Sequence, residues 1–145
     1  MDTRFIAGAA AVAVALTGCS GGEPPRSGPP GSLPPGTAEI SLAGAGLGRT
    51  DDVSCSSTGS SSTINTGDET AGTTSSVDRS DGLTVQYAQM RNVEGFTGSY
   101  WANLGSEAEV AMTQSTFLIT GTATGFEENN PRARTSKTFS IRVAC

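Results

Sequence analysis

The sequence has no histidine. That removes the side chain that titrates nearest neutral pH and serves most often as general base or metal ligand, so Ser-His-Asp, Cys-His and His-zinc sites are excluded. Basic residues are few: nine Lys and Arg stand against fourteen Asp and Glu, giving a formal charge of −5 and a pI near 4.6. A phosphate-backbone binder takes its affinity from clustered Lys and Arg, and here the basic residues are scattered, so nucleic acid is not an expected partner. Charge is sparse at 16% and aromatics at 6%, while glycine reaches 19 residues and Ser and Thr are abundant. This balance favours turns and strands over long helices. The 145 residues leave room for one domain, expected to be all-β: an antiparallel β-sandwich or partly open barrel.

A membrane-spanning run is also missing. Spanning takes about 20 apolar residues, and the uncharged run Phe5 to Leu16 stops short before Gly, Ser and Pro. With Arg4 ahead of it, it suits the h-region of a signal peptide over residues 1–18. The run ends in Leu16-Thr17-Gly18-Cys19, which resembles the bacterial lipobox. Leu16, Thr17 and Gly18 are then the signal-peptidase recognition residues, because small side chains let the peptidase approach the backbone. The resemblance implies cleavage after Gly18 and thioether attachment of diacylglycerol to the thiolate of Cys19. Two or three acyl chains, at about 0.8 kcal/mol per buried methylene, hold a protein to the membrane almost permanently.

Six of the seven prolines fall between Ser20 and Gly36. Paired prolines favour polyproline II at about 3.1 Å per residue, a reach of up to roughly 50 Å, so residues 19–36 read as the lipidated cysteine and a flexible Pro/Gly-rich tether. Residues 37–145 form the β-rich domain. Three cysteines are awkward for an exported protein. With Cys19 assigned to lipid, Cys55 and Cys145 remain as a disulfide pair.

Period-two alternation marks the strands. Phe139, Ile141, Val143 and Cys145 share one face of a closing strand, with Thr138, Ser140, Arg142 and Ala144 on the other. Ala38, Ile40 and Leu42 define an early strand, Leu83, Val85 and Tyr87 a middle one, and Phe117, Ile119 and Gly121 a later one, with Val110 and Met112 marking another. Asp81-Gly82 is a turn signal. The Ser/Thr-rich stretch Ser54 to Ser80 holds few large apolar residues and reads as edge strands or partly disordered chain. Phe126 to Lys137 reads as a solvated loop.

Taken together, the lipobox, Ile119-Thr120-Gly121-Thr122-Ala123-Thr124-Gly125 and the closing Lys137-Thr138-Phe139-Ser140-Ile141-Arg142-Val143-Ala144-Cys145 resemble the mycobacterial 19 kDa lipoprotein antigen family. The resemblance runs from about Thr37 to Cys145. It implies a surface-exposed, acylated antigen with a β-rich domain and one disulfide, met by host pattern receptors through its acylated terminus. Sugar on a Thr-rich tether is a feature of such proteins, whereas this tether offers only Ser20, Ser27, Ser32 and Thr37.

Other motifs carry little chemistry. Gly44-Ala45-Gly46-Leu47-Gly48 lacks GxGxxG spacing and a following helix, so it reads as a glycine-rich turn. Gly121 to Gly125 lies in an alternating strand, and close backbone packing or a bulge accounts for its glycines. Neighbours on a strand point to opposite faces, so Asp51-Asp52 and Glu127-Glu128 read as solvated charge. Asp78 and Asp81 lack the dense acidic pattern of a calcium loop, and no metal, cofactor or catalytic residue is assigned. Tyr100-Trp101 is either an exposed recognition patch or core, and core carries most of the weight in a chain with only eight aromatics. The expectation is a non-enzymatic protein, lipid-anchored on the extracytoplasmic face of the cell membrane, with a contact or antigen role. The alternative is a carrier whose sheets enclose a lipid or small apolar ligand.

Overall fold

The structure, a computed structural model, describes residues 31–145. The signal peptide, the lipobox residues Leu16, Thr17, Gly18 and Cys19, and the tether up to residue 30 lie outside the described residues. Ten strands follow: β1 Ala38–Leu42, β2 Ala45–Thr50, β3 Val53–Thr58, β4 Ser61–Gly67, β5 Gly72–Asp78, β6 Thr84–Val93, β7 Phe96–Trp101, β8 Ala108–Thr113, β9 Thr116–Glu127 and β10 Asn130–Ala144. They form one antiparallel sheet in the order β2-β1-β10-β9-β7-β6-β5-β4-β3, with β8 paired to β9, nearly closed into a barrel. The all-β expectation holds, in its partly open barrel form. The two ends of the strand path, β2 and β3, are consecutive in the chain and joined only through Asp51 and Asp52.

The inward face follows the alternation read from the sequence. Ala38 and Leu42 of β1, Phe117 and Ile119 of β9, and Phe139, Ile141 and Val143 of β10 are buried in one core with Val77, Val85, Ala88, Met90, Phe96 and Tyr100. Each such large apolar side chain, fully buried, contributes about 1.5–3 kcal/mol. The β1–β2 connection places Ala43 and Gly44 at φ 51° and 83°, the paired positive-φ geometry of a tight hairpin turn.

Four expectations need correction. Ser54 to Ser80 builds three strands, and β4 and β5 send Ser62, Ile64, Thr66, Thr73 and Ser75 inward, all buried. Only β3 has the edge character expected, with Ser54 to Thr58 exposed. Phe126 to Lys137 is not a loop: β9 continues to Glu127, β10 starts at Asn130, and the two pair as a hairpin. Tyr87 does not share a face with Val85. Ser76 pairs with Tyr87 but Val77 pairs with Val85, so Gln86 is an extra residue in β6, a bulge that reverses which side faces inward. Finally, Cys145 lies past the end of β10 and is exposed, while Ala144, expected on the outer face, is buried.

The end of the expected tether lies against the sheet. The Leu33 N–H donates to Thr116 Oγ1 at 3.0 Å, the Gly36 N–H to the Ala144 carbonyl at 2.9 Å, and the Ala144 N–H to the Thr37 carbonyl at 2.9 Å. The chain therefore enters the fold where β9 begins and β10 ends.

Candidate contact surface

Cys55 and Cys145 are brought together: their sulfurs are bonded and their Cα atoms are 6.0 Å apart. The bond joins β3, at one end of the strand path, to the end of β10, two strands from the other.

The outward faces of β6, β7, β9 and β10 carry the other candidate site. The bulge at Gln86 turns Tyr87 outward, where its ring centroid is 5.0 Å from that of its register partner Trp101. Trp101 is 42% exposed, whereas its neighbour Tyr100 points inward at 6%. Core is thus the right reading for Tyr100 and the wrong one for Trp101, because alternation along β7 sends neighbours to opposite faces. One register step further, Gln89, Ser99, Thr124 and Ser136 are aligned across four strands. The Trp101 indole N–H donates to Ser99 Oγ at 3.2 Å, and the Thr124 and Ser136 hydroxyls are 3.0 Å apart. The rings and the polar row are therefore continuous.

Next to this row is an open groove of about 520 Å³, walled by Arg91, Phe126, Pro131, Arg132 and Arg134. Beneath it Gly98 and Gly125 are register partners. A Cβ on Gly125 would stand 1.9 Å from the Thr97 carbonyl oxygen, so the close backbone approach expected for this glycine is required.

The groove is cationic on an acidic protein. Arg91 is braced, its guanidinium donating to Thr74 Oγ1 at 2.6 Å and to the Asp68 carbonyl at 3.1 Å. Arg132 and Arg134 are exposed, with no hydrogen bond or ion pair among the described residues. Other cations are engaged: Arg49 and Arg142 with Glu39, and Lys137 with Glu127. Arg79 sits 5.3 Å from the centre of the Phe117 ring.

The remaining candidates are locally satisfied. Asp78 accepts from the Ser80 N–H and Oγ, both at 2.9 Å. The Ser60 hydroxyl first, then Ser80, hold its carboxyl below the usual value. Asp68 is held low in the same way, chiefly by the Ala71 N–H and then the Thr70 N–H. Among the described residues no group of three His, Cys, Asp or Glu is placed to hold a metal ion. A second groove, of about 570 Å³, opens between β6 and β8, with Leu83, Val85, Tyr100 and Val110 on its apolar side and Gln86, Asn103 and Glu109 on its polar side.

Sequence reasoning missed Arg91, Arg132 and Arg134. The signal was there for the last two, since residues two apart share a face of an extended strand. Reading their segment as a loop hid it.

Comparison with known proteins adds the lineage. The family described as "Mycobacterium 19 kDa lipoprotein antigen" matches residues 31–145. The chain belongs to that family. Among relatives of the 19 kDa antigen family, a protein named "Putative lipoprotein" from Mycobacterium indicus pranii is 31% identical over the whole of both chains. "Lipoprotein LpqH" of Mycobacterium bovis BCG is 28% identical over 99% of this chain and 96% of its own. "Probable lipoprotein LppE" of Mycobacterium tuberculosis is 31% identical over 45% of this chain and 46% of its own. The matched 31–145 segment of the 19 kDa antigen family begins where the described fold begins and includes both disulfide cysteines.

Proposed function

We propose that this is a non-enzymatic envelope lipoprotein, lipid-anchored through Cys19 on the extracytoplasmic face of the membrane, whose domain acts by contact. The lipobox Leu16-Thr17-Gly18-Cys19 and the lipoprotein names of its relatives support the anchor. The observation that carries the contact reading is the position of the outward strip relative to the chain's entry. The chain enters beside Thr116, and the stretch from Thr116 to Thr124, at about 3.4 Å per residue, is roughly 27 Å. The exposed Trp101 ring, its neighbour Tyr87 and the guanidiniums of Arg132 and Arg134 thus lie toward the end of β9 away from the chain's entry. Host pattern receptors would meet the acylated terminus instead.

Metabolic labelling with an alkyne fatty acid tests the anchor. Wild-type protein should take up label and partition into the detergent phase, and Cys19→Ala should do neither. Equal partitioning of the two would overturn the reading. Protease shaving of intact cells tests display, the domain being removed while cytoplasmic markers survive.

The groove between β6 and β8 favours a second reading, a carrier of a small apolar ligand, because Leu83, Val85, Tyr100 and Val110 line it. Ligand pockets bury most of their ligand and are mostly apolar, whereas this groove is open and half polar, so contact is preferred. Saturable uptake of a fluorescent fatty acid, lost in Val110→Glu, would favour carriage.

A further inference from the structure

We propose that the outward strip of β6, β7, β9 and β10 is a binding site for an acidic polysaccharide chain. This rests on the contact reading above and names its partner class. Three kinds of group are joined there, each matched to one part of an acidic sugar chain.

The first is charge. Arg132 and Arg134 present uncommitted guanidiniums, and Arg91 a braced one, in a single groove. The whole chain carries −5, and the cations of Arg49 and Arg142 share Glu39 while that of Lys137 pairs with Glu127. The groove is thus a local positive site on a negative body, and guanidinium forks pair carboxylates in a bidentate manner. Among the described residues no carboxylate side chain lines the groove.

The second is the polar row. Gln89, Ser99, Thr124 and Ser136 come from four adjacent strands, which sets amide and hydroxyl groups at intervals of about 4.8 Å. Such a row offers both donors and acceptors to successive hydroxyls of an extended chain. A simple phosphate or a lone carboxylate would leave it unused.

The third is the aromatic shelf. Tyr87 and Trp101 pack together, their ring centroids 5.0 Å apart and their planes tilted by 33°, and Trp101 is tied to Ser99 within the polar row. Their rings give a flat apolar body with a polar tip, suited to the C–H face of a sugar ring beside its hydroxyl edge. The register is unbroken from shelf to row, and the groove opens where it shifts, between Met90 and Val93 on β6 and between Asn130 and Thr135 on β10. A nucleic acid would need a longer run of cations than three. On the anchored reading above, the lipid would join the domain through the other end of β9, where the chain enters.

The test uses the full lipidated chain in nanodiscs of phosphatidylcholine, with labelled polygalacturonate oligomers as the probe and neutral dextran as its uncharged counterpart. Wild-type protein should bind polygalacturonate saturably and dextran at least tenfold more weakly. Arg132→Gln with Arg134→Gln should weaken polygalacturonate at least tenfold, and Trp101→Ala roughly fivefold. Arg49→Gln with Arg79→Gln, which removes the same charge elsewhere, should change it less than twofold. Equal weakening by the two arginine pairs would reduce the effect to diffuse charge and overturn the site. So would no saturable binding, equal binding of dextran, or tighter binding of a single-stranded oligonucleotide or of phosphatidylinositol vesicles. Thermal melts of each variant exclude loss of fold. Lost sugar binding with detergent partitioning and protease shaving intact overturns this inference alone, whereas lost partitioning overturns the anchored reading.

Discussion

Cys55 and Cys145 are 90 residues apart in sequence and 6.0 Å apart at Cα, and their bond ties the β3 end of the strand path back to β10. Among the described strands β2 and β3 do not pair, so the bond holds together the flank of the barrel that backbone hydrogen bonds leave open.

Reducing that bond should therefore cost stability even though both cysteines are exposed. A loop of this length limits the unfolded chain by about 4–5 kcal/mol in the chain-entropy treatment. Wild-type protein under reductant, and Cys145→Ser without it, should melt roughly 10 °C or more below the oxidised protein. Thiol alkylation before reduction should tag neither residue. Melting points within about 2 °C of each other would count against a closing role.

Two glycine-to-alanine changes should behave very differently. Gly125→Ala puts a methyl 1.9 Å from the Thr97 carbonyl oxygen and 2.4 Å from Gly98 Cα. Both are backbone atoms of β7, so the strands must part, at about 2–3 kcal/mol. Gly46→Ala meets nothing within 4 Å and should move stability by less than about 0.5 kcal/mol. Urea midpoints read the contrast.

Adjacent aromatics should also separate. Tyr100→Ala empties a buried site and should cost about 3–5 kcal/mol. Trp101→Ala removes an exposed ring and its packing against Tyr87, at about 1 kcal/mol. As the single tryptophan, Trp101 should be readily quenched by acrylamide in the folded state. Strong protection from quenching would contradict its outward position.

The hydroxyl-lined interior of β4 and β5 allows an opposed pair. Ser75 Oγ is buried with no hydrogen-bond partner among the described residues, so Ser75→Ala should be neutral or stabilising by up to about 1 kcal/mol. Thr66 Oγ1 and Thr73 Oγ1 are 2.7 Å apart and buried, so Thr66→Val strands a hydroxyl and should cost about 1–2 kcal/mol. Destabilisation by Ser75→Ala beyond about 1 kcal/mol would mean that its hydroxyl is satisfied after all.

Acid should loosen the β4–β5 turn. Asp68 is held below the usual carboxyl value of 3.8, chiefly by the Ala71 N–H, so the fold favours its ionised form. That contribution is present above 3.8 and fades as pH falls below it through the lowered folded value. The melting point should fall as pH drops below about 3.8, and Asp68→Ala should shrink the fall. An identical profile for the variant would remove Asp68 from the account.

Why some of this was legible and some not follows from what each strand buries. Where the core face is apolar, as at Ala38 and Leu42 or Phe139, Ile141 and Val143, period-two alternation shows through. In β4 and β5 the inward residues include Ser62, Thr66, Thr73 and Ser75. Their alternation is one of exposure and not of chemistry, so the stretch looks featureless. The start of β10 fails for a related reason: Asn130 to Arg134 are all exposed, and a strand wet on both faces has no pattern. Tyr87 was misplaced because one extra residue, Gln86, reverses the faces, and nothing in the local residue types announces it. The same two failures hid the contact strip. Its aromatic shelf depends on that bulge, and its groove on the wet end of β10.

The hydrogen bonds that hold residues 33–37 to the sheet also decide how the domain carries tension. A pull on the chain ahead of Gly31 enters through Leu33 and Gly36 and then reaches β1, which pairs with β10 from Ala38 opposite Val143 to Leu42 opposite Phe139. If the other end of the load is applied at Arg132 and Arg134, further back on the same β10, the force runs along the strand axes. The β1–β10 bonds are then strained side by side in shear, all together, and are not peeled one at a time. Forced unfolding is set by the height of the unfolding barrier, and shear raises it by making several bonds fail at once. Loaded in that way, the domain would be a stiff link between its entry point and its far end.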